Sequence, residues 1–167
     1  MKIDQESTWR DQLFRNLDYY YERRAPYYRD TIGFLDRVLS FDQPYLSKLL
    51  SHTLKETCEY LSVKVHMQEF SAMQLSLREI RHPGDWAFEI SRAAGANVYI
   101  NPAGGRDLFF PERFRASGID LKFLKPVLLP YDQHRLTFVE RLSIIDALMW
   151  NPPEEVRAML NSYELLS

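Results

Sequence analysis

Apolar side chains recur at helical spacing through residues 1–61, and the pattern predicts three helices there. Trp9, Leu13, Leu17 and Tyr20 line the face of the first, which starts at a Thr8/Asp11 capping pair and ends near Arg23-Arg24. Pro26 suits the first turn of the second, whose Tyr28, Ile32, Leu35 and Leu39 share one side. Asp42 and Pro44 open the third, with Leu46, Leu49, Leu50, Leu54 and Leu61 directed at the core.

The period then shortens to that of a strand. Val63-Lys64-Val65-His66-Met67 alternates and is rich in branched side chains. After the break at His82-Pro83-Gly84, Trp86, Ala87, Ile90 and Ala94 outline a helix that Gly95 closes, and Asn97 to Ile100 reads as a second strand. Asn101 to Arg106 is a turn, Asp107 to Ser117 one or two helical turns around Pro111, and Ile119 to Leu124 a third strand after Gly118. Strands separated by helical crossovers favour parallel pairing. Residues 125–141 hold no period and read as a long ordered loop, followed by helices at Ser143 to Trp150 and Pro153 to Leu160.

The expected fold is therefore α/β: a small, mainly parallel sheet with helices on both faces. An N-terminal helical segment precedes it and C-terminal helices close it. We read it as a single domain over 1–167, divided into helices (1–61), strand/helix alternation (62–124), long loop (125–141) and terminal helices (142–167).

Composition narrows the function without naming it. The 167 residues are 46% hydrophobic and 26% charged, the balance of a globular chain. A net charge of −2, with arginines dispersed along the length, gives no basic stripe for nucleic acid. Cys58 has no intrachain partner and fits a reduced, cytoplasmic setting. The opening Met1-Lys2-Ile3-Asp4-Gln5-Glu6 lacks the apolar run of a signal peptide, and no stretch of about eighteen apolar residues predicts a membrane span.

Three stretches carry candidate chemistry. At Asn101 and Gly104-Gly105-Arg106-Asp107, a strand running through a glycine turn into a helix can direct amide hydrogens at one point, with Arg106 as a bidentate fork for phosphate or carboxylate. The plainer reading is a tight connection with Asp107 as a helix cap. On the long loop, Tyr131 and Gln133 can hydrogen-bond a sugar or amide, and His134 can act as a general base or stay solvated. Tyr131 can equally pin the loop through a buried ring. Asp146 can receive a proton from a substrate, or form a reciprocal helix cap with Ser143, the reading the spacing favours. His52, His66 and His82 form no metal-ligand spacing, so no metal site is expected, and no motif identifies a cofactor.

The runs Asn97-Val98-Tyr99-Ile100-Asn101-Pro102-Ala103-Gly104-Gly105-Arg106-Asp107, Pro130-Tyr131-Asp132-Gln133 and Leu142-Ser143-Ile144-Ile145-Asp146-Ala147-Leu148 together resemble the WbqC-like family, in order and spacing as well as in letters. Trp9 to Tyr28 resembles the segment leading into them. Members of that family usually begin with a strand and a His-Gln-Pro motif, and nothing of that kind occurs before Trp9. The resemblance implies a role in O-antigen or other surface-polysaccharide biosynthesis, as an aminoacyl, acyl or glycosyl transferase-related domain. The ligand would be a small anion, such as a nucleotide, nucleotide sugar or amino acid, held at 102–107 beneath the loop around Tyr131. The missing motif implies an alternative: a non-catalytic domain that dimerises or completes itself with a separately encoded N-terminal partner.

Overall fold

A computed structural model describes residues 1–4 and 7–167; Gln5 and Glu6 of the N-terminal stretch lie outside the described residues. The backbone forms two compact units, one of 1–67 with 128–161 and one of 68–127 with 162–167.

The first unit is helical. It contains α1 (Trp9–Tyr21), α2 (Tyr28–Leu39), α3 (Leu46–Tyr60), α6 (Ile144–Trp150) and α7 (Pro153–Met159). Its core gathers Leu17, Phe34, Leu35 and Val38 with Leu148, Met149 and Trp150. Thr31 inside this core donates to the Leu148 carbonyl at 2.9 Å, which joins α2 to α6 and leaves its hydroxyl satisfied.

Several helix starts differ from the sequence reading. Thr8 occupies the cap of α1 but its side chain makes no capping bond. Pro26 and Pro44 both precede their helices. Leu46 donates its N–H to the Met1 carbonyl and Ile3 donates to Pro44, so the N-terminal segment pairs with residues 44–46 in place of the expected Asp42 cap. The leucine stripe of α3 is also split: Leu49 and Leu61 are buried, while Leu50 and Leu54 are each 57% exposed. Val63 to Met67 forms no strand. Ser62 turns into the left-handed region (φ 54°), and the Val63 N–H closes the end of α3 on the Cys58 carbonyl, so it is committed to a helix cap.

The second unit carries a mixed three-stranded sheet in the order β1-β2-β3, with β1 (Val98–Pro102), β2 (Asp120–Pro126) and β3 (Tyr163–Leu166). Parallel pairing of β1 with β2, Val98 opposite Asp120, is as the sequence implied. The antiparallel partner β3, Phe123 opposite Leu166, corrects the expectation of a mainly parallel sheet and of helix alone at the C-terminus. A 3₁₀ turn at Ala103–Leu108 and α5 (Pro111–Ala116) make the crossover, and α4 (Pro83–Ala93) precedes the sheet. Phe88, Phe114, Ile119, Leu121 and Phe123 form the core of this unit.

In α4 the buried side is not the expected Trp86/Ala87/Ile90/Ala94 stripe. Trp86 is exposed, and Asp85, Phe88, Glu89 and Ser91 are buried. Gly84 is required by close approach, since a Cβ there would collide with the Leu108 carbonyl. Gly95 and Gly118 adopt positive φ (68° and 72°) and end α4 and α5 as expected. Among the described residues no helix is long and apolar enough to cross a membrane.

Candidate functional site

In the first unit, the long loop returns to α6 and its polar side chains meet one carboxylate. Asp146 is 3% exposed. Its Oδ1 accepts the Tyr21 hydroxyl at 2.7 Å, and its Oδ2 accepts the Tyr131 hydroxyl at 2.5 Å and the Gln133 amide at 2.9 Å. Gln133 also donates to the Val139 carbonyl at 3.0 Å and accepts from the Val139 N–H at 2.9 Å, which fastens the loop to itself.

Burial, reinforced by the bond to Asp146, holds the Tyr131 phenol up at about 12, and the same causes push Tyr21 well above the ordinary phenol range. The assembly donates protons inward to a carboxylate and requires no ligand to satisfy it.

The Ser143 reading is half realised. Its Oγ accepts from the Ile145 N–H at 3.2 Å, but both Asp146 oxygens serve the cluster, so no reciprocal cap forms. His134 sits at φ 49°, with its amide donating to Asp132 and its exposed ring stacked on Trp150 at 5.2 Å. Asp146 is thus not its orienting partner. Tyr21, which no sequence motif singles out, lies 125 positions from the carboxylate it serves.

The glycine turn belongs to the second unit. Asn101 accepts the Tyr99 hydroxyl at 3.0 Å and donates to the Pro102 carbonyl at 3.0 Å. Its amide nitrogen occupies the space beside Gly105, where a Cβ would lie 2.5 Å from it. Gly104 faces open space. Asp107 is inside the 3₁₀ turn and is exposed, while α5 begins at Pro111, so Asp107 is not the cap of the following helix.

Arg106 donates to the Ser167 carbonyl at 2.8 Å and lies 5.5 Å over the Phe123 ring. It borders a cavity of about 370 Å³ whose wall also includes Arg115, Asp120, Phe123 and Ser167. With one of five guanidinium donors engaged, the rest can meet an anion. The cavity opens against the inward face of β2 instead of beyond the carboxyl ends of the strands.

The chain matches the model of one protein family, described as the WbqC-like protein family, over residues 1–158. The chain belongs to that family. Neither the curated proteins nor the solved structures searched give a match.

Proposed function

We propose that this chain is a transferase-related, ligand-binding domain of O-antigen or other surface-polysaccharide biosynthesis, working in the cytoplasm and holding a small anionic ligand on Arg106. Membership of the WbqC-like family supports the setting. The observation that carries the ligand is the cavity itself, large enough for part of a nucleotide sugar and bordered by two arginines. In this reading Gly104, Gly105 and Asn101 shape the turn that presents Arg106, and the guanidinium supplies the anion contact. Tyr131, Gln133 and Asp146 hold the long loop in one conformation, which makes them positioning residues, and the exposed His134 ring rests on Trp150 beside the Asp132 carboxylate, away from Asp146.

Isothermal titration of the chain with nucleotides, nucleotide sugars and amino acids should give saturable binding of at least one phosphate-bearing ligand. Arg106→Ala should weaken it about tenfold or more, the loss of a charge-assisted fork. Heat curves that are flat for every ligand, or identical for the variant, would remove the reading.

A second reading, a non-catalytic domain that pairs with another copy of the chain, is favoured by a different observation. Ile3, Trp9, Leu39, Leu46, Leu49 and Leu50 surround an almost wholly apolar hollow of about 380 Å³, and Leu50 and Leu54 project from α3 beside it. On this reading the chain sediments as a dimer and Leu50→Glu converts it to monomer; a wild-type monomer at high micromolar concentration speaks for the ligand-binding reading alone.

A further inference from the structure

The second unit holds another cavity, of about 570 Å³, with carboxylates at its floor and guanidinium groups around it. Its floor is the buried side of α4. Burial by itself would raise the Glu89 carboxyl, but the Arg92 guanidinium and the Arg78 amide outweigh it and hold Glu89 below the usual carboxylate range, so a buried negative charge is kept there. Three donors reach Glu89: Arg78 N–H at 3.3 Å, Arg92 Nε at 3.1 Å and Arg92 Nη2 at 2.7 Å, and all of them meet at Oε2. Oε1 takes none of these bonds, although Glu89 forms part of the cavity wall.

Neighbouring Asp85 is different. Its Oδ2 accepts the Arg81 and His82 amides and its Oδ1 pairs with Arg113, so its role at the start of α4 is complete.

The cations around this floor are not all neutralised. Arg81 pairs with Glu79, and Arg113 pairs with Asp85 while its guanidinium lies 4.5 Å over the Phe88 ring and stays 44% exposed. Among the described residues Arg78 enters no ion pair, and its charge acts on Glu89 from close by. Four arginines (78, 81, 92 and 113) surround three carboxylates (Glu79, Asp85 and Glu89), which leaves the neighbourhood one positive charge in excess.

An anion alone would be repelled by the floor, and a cation alone by the arginines. A ligand with an anionic group at one end and hydroxyl donors at the other matches both. We infer that this cavity is a separate binding site for a small hydroxylated anion of the sugar-phosphate type, its hydroxyl end donating to Glu89 Oε1 and its anionic end held by Arg78 and Arg113.

The inference does not depend on the Arg106 cavity, and one experiment separates them. Full-length chain is titrated with glucose 1-phosphate under amide NMR detection, with glucose and inorganic phosphate as controls. The expected result is saturable shifts at Phe88, Glu89 and Arg113, with both controls weaker. Arg78→Met should weaken the sugar phosphate about tenfold as read at those three amides, while any shifts at Arg106, Phe123 and Ser167 report the other cavity and should not change. Methionine keeps the backbone N–H that Glu89 accepts, and Arg78 is exposed, so the variant should fold. The site is overturned if nothing saturates at those three amides, if inorganic phosphate binds as tightly as the sugar phosphate, or if the shifts there are the same in Arg78→Met.

Discussion

Asp146→Ala is expected to destabilise the chain by about 3 kcal/mol in urea denaturation, because two phenols and one amide lose their common acceptor in a site where water replaces it poorly. Asp146→Asn should cost less, since one acceptor oxygen remains. Hydrogen exchange should quicken at Val139, whose N–H is held by the Gln133 side chain that Asp146 anchors. The cluster also fixes a pH dependence. Tyr131 and Tyr21 keep their protons to higher pH in the folded chain than in the unfolded one. Their contribution is complete below about pH 10, where the unfolded phenol begins to ionise, and is lost as pH rises toward 12. Tyr131→Phe should flatten that alkaline decline. A change below about 1 kcal/mol for Asp146→Ala, with unaltered exchange at Val139, would show that the loop is held by something else.

Phe114→Ala should cost about 3–5 kcal/mol, the range for deleting a fully buried phenylalanine. Its ring is 2% exposed and packs edge-on against Phe88 at 5.1 Å and stacked with Tyr99 at 5.7 Å, with Phe109 at 6.0 Å. The second unit has few buried side chains, so neighbouring rings have little material with which to close the void. The measurement is the urea midpoint together with the near-ultraviolet circular dichroism of the aromatic cluster. Phe114→Leu should recover part of the loss. A shift smaller than that of an ordinary surface substitution, about 0.5 kcal/mol, would mean that this cluster is not the core of its unit.

The elements the sequence revealed are those whose signal is local. α1 and α2 carry helical period, Gly95 and Gly118 mark the stops of α4 and α5 by the backbone angle they adopt, and β1 and β2 have branched or alternating residues. What remained hidden depends on distant partners. Tyr163–Leu166 becomes β3 only because β2 offers it an edge, and its side chains are mostly exposed, so no buried alternation announces it. The α3 stripe has the right period, but period cannot say that Leu50 and Leu54 lack a neighbour.

The candidate site divides in the same way. Tyr131, Gln133 and Asp146, singled out in separate stretches, meet in one cluster, and Tyr21 joins them from the far end of the chain. The His82/Asp85 pair could have been found, since an acidic residue three places after the cap residue is the spacing of a capping box, here with His82 Nδ1 accepting from the Gly84 N–H at 3.2 Å and Asp85 accepting from the His82 N–H at 2.9 Å. Glu89 is harder to find: a charged residue on a helix normally reads as solvated, and its burial rests on Arg92 one turn along α4 together with the Arg78 N–H from outside the helix.

The most direct measurement on the ligand-binding account is an amide NMR titration of the chain with a nucleotide sugar such as UDP-glucose, repeated on Arg106→Ala. Saturable shifts concentrated at Arg106, Phe123 and Ser167 that vanish in the variant are expected. Shifts that are absent, or that persist unchanged without the Arg106 guanidinium, would contradict it.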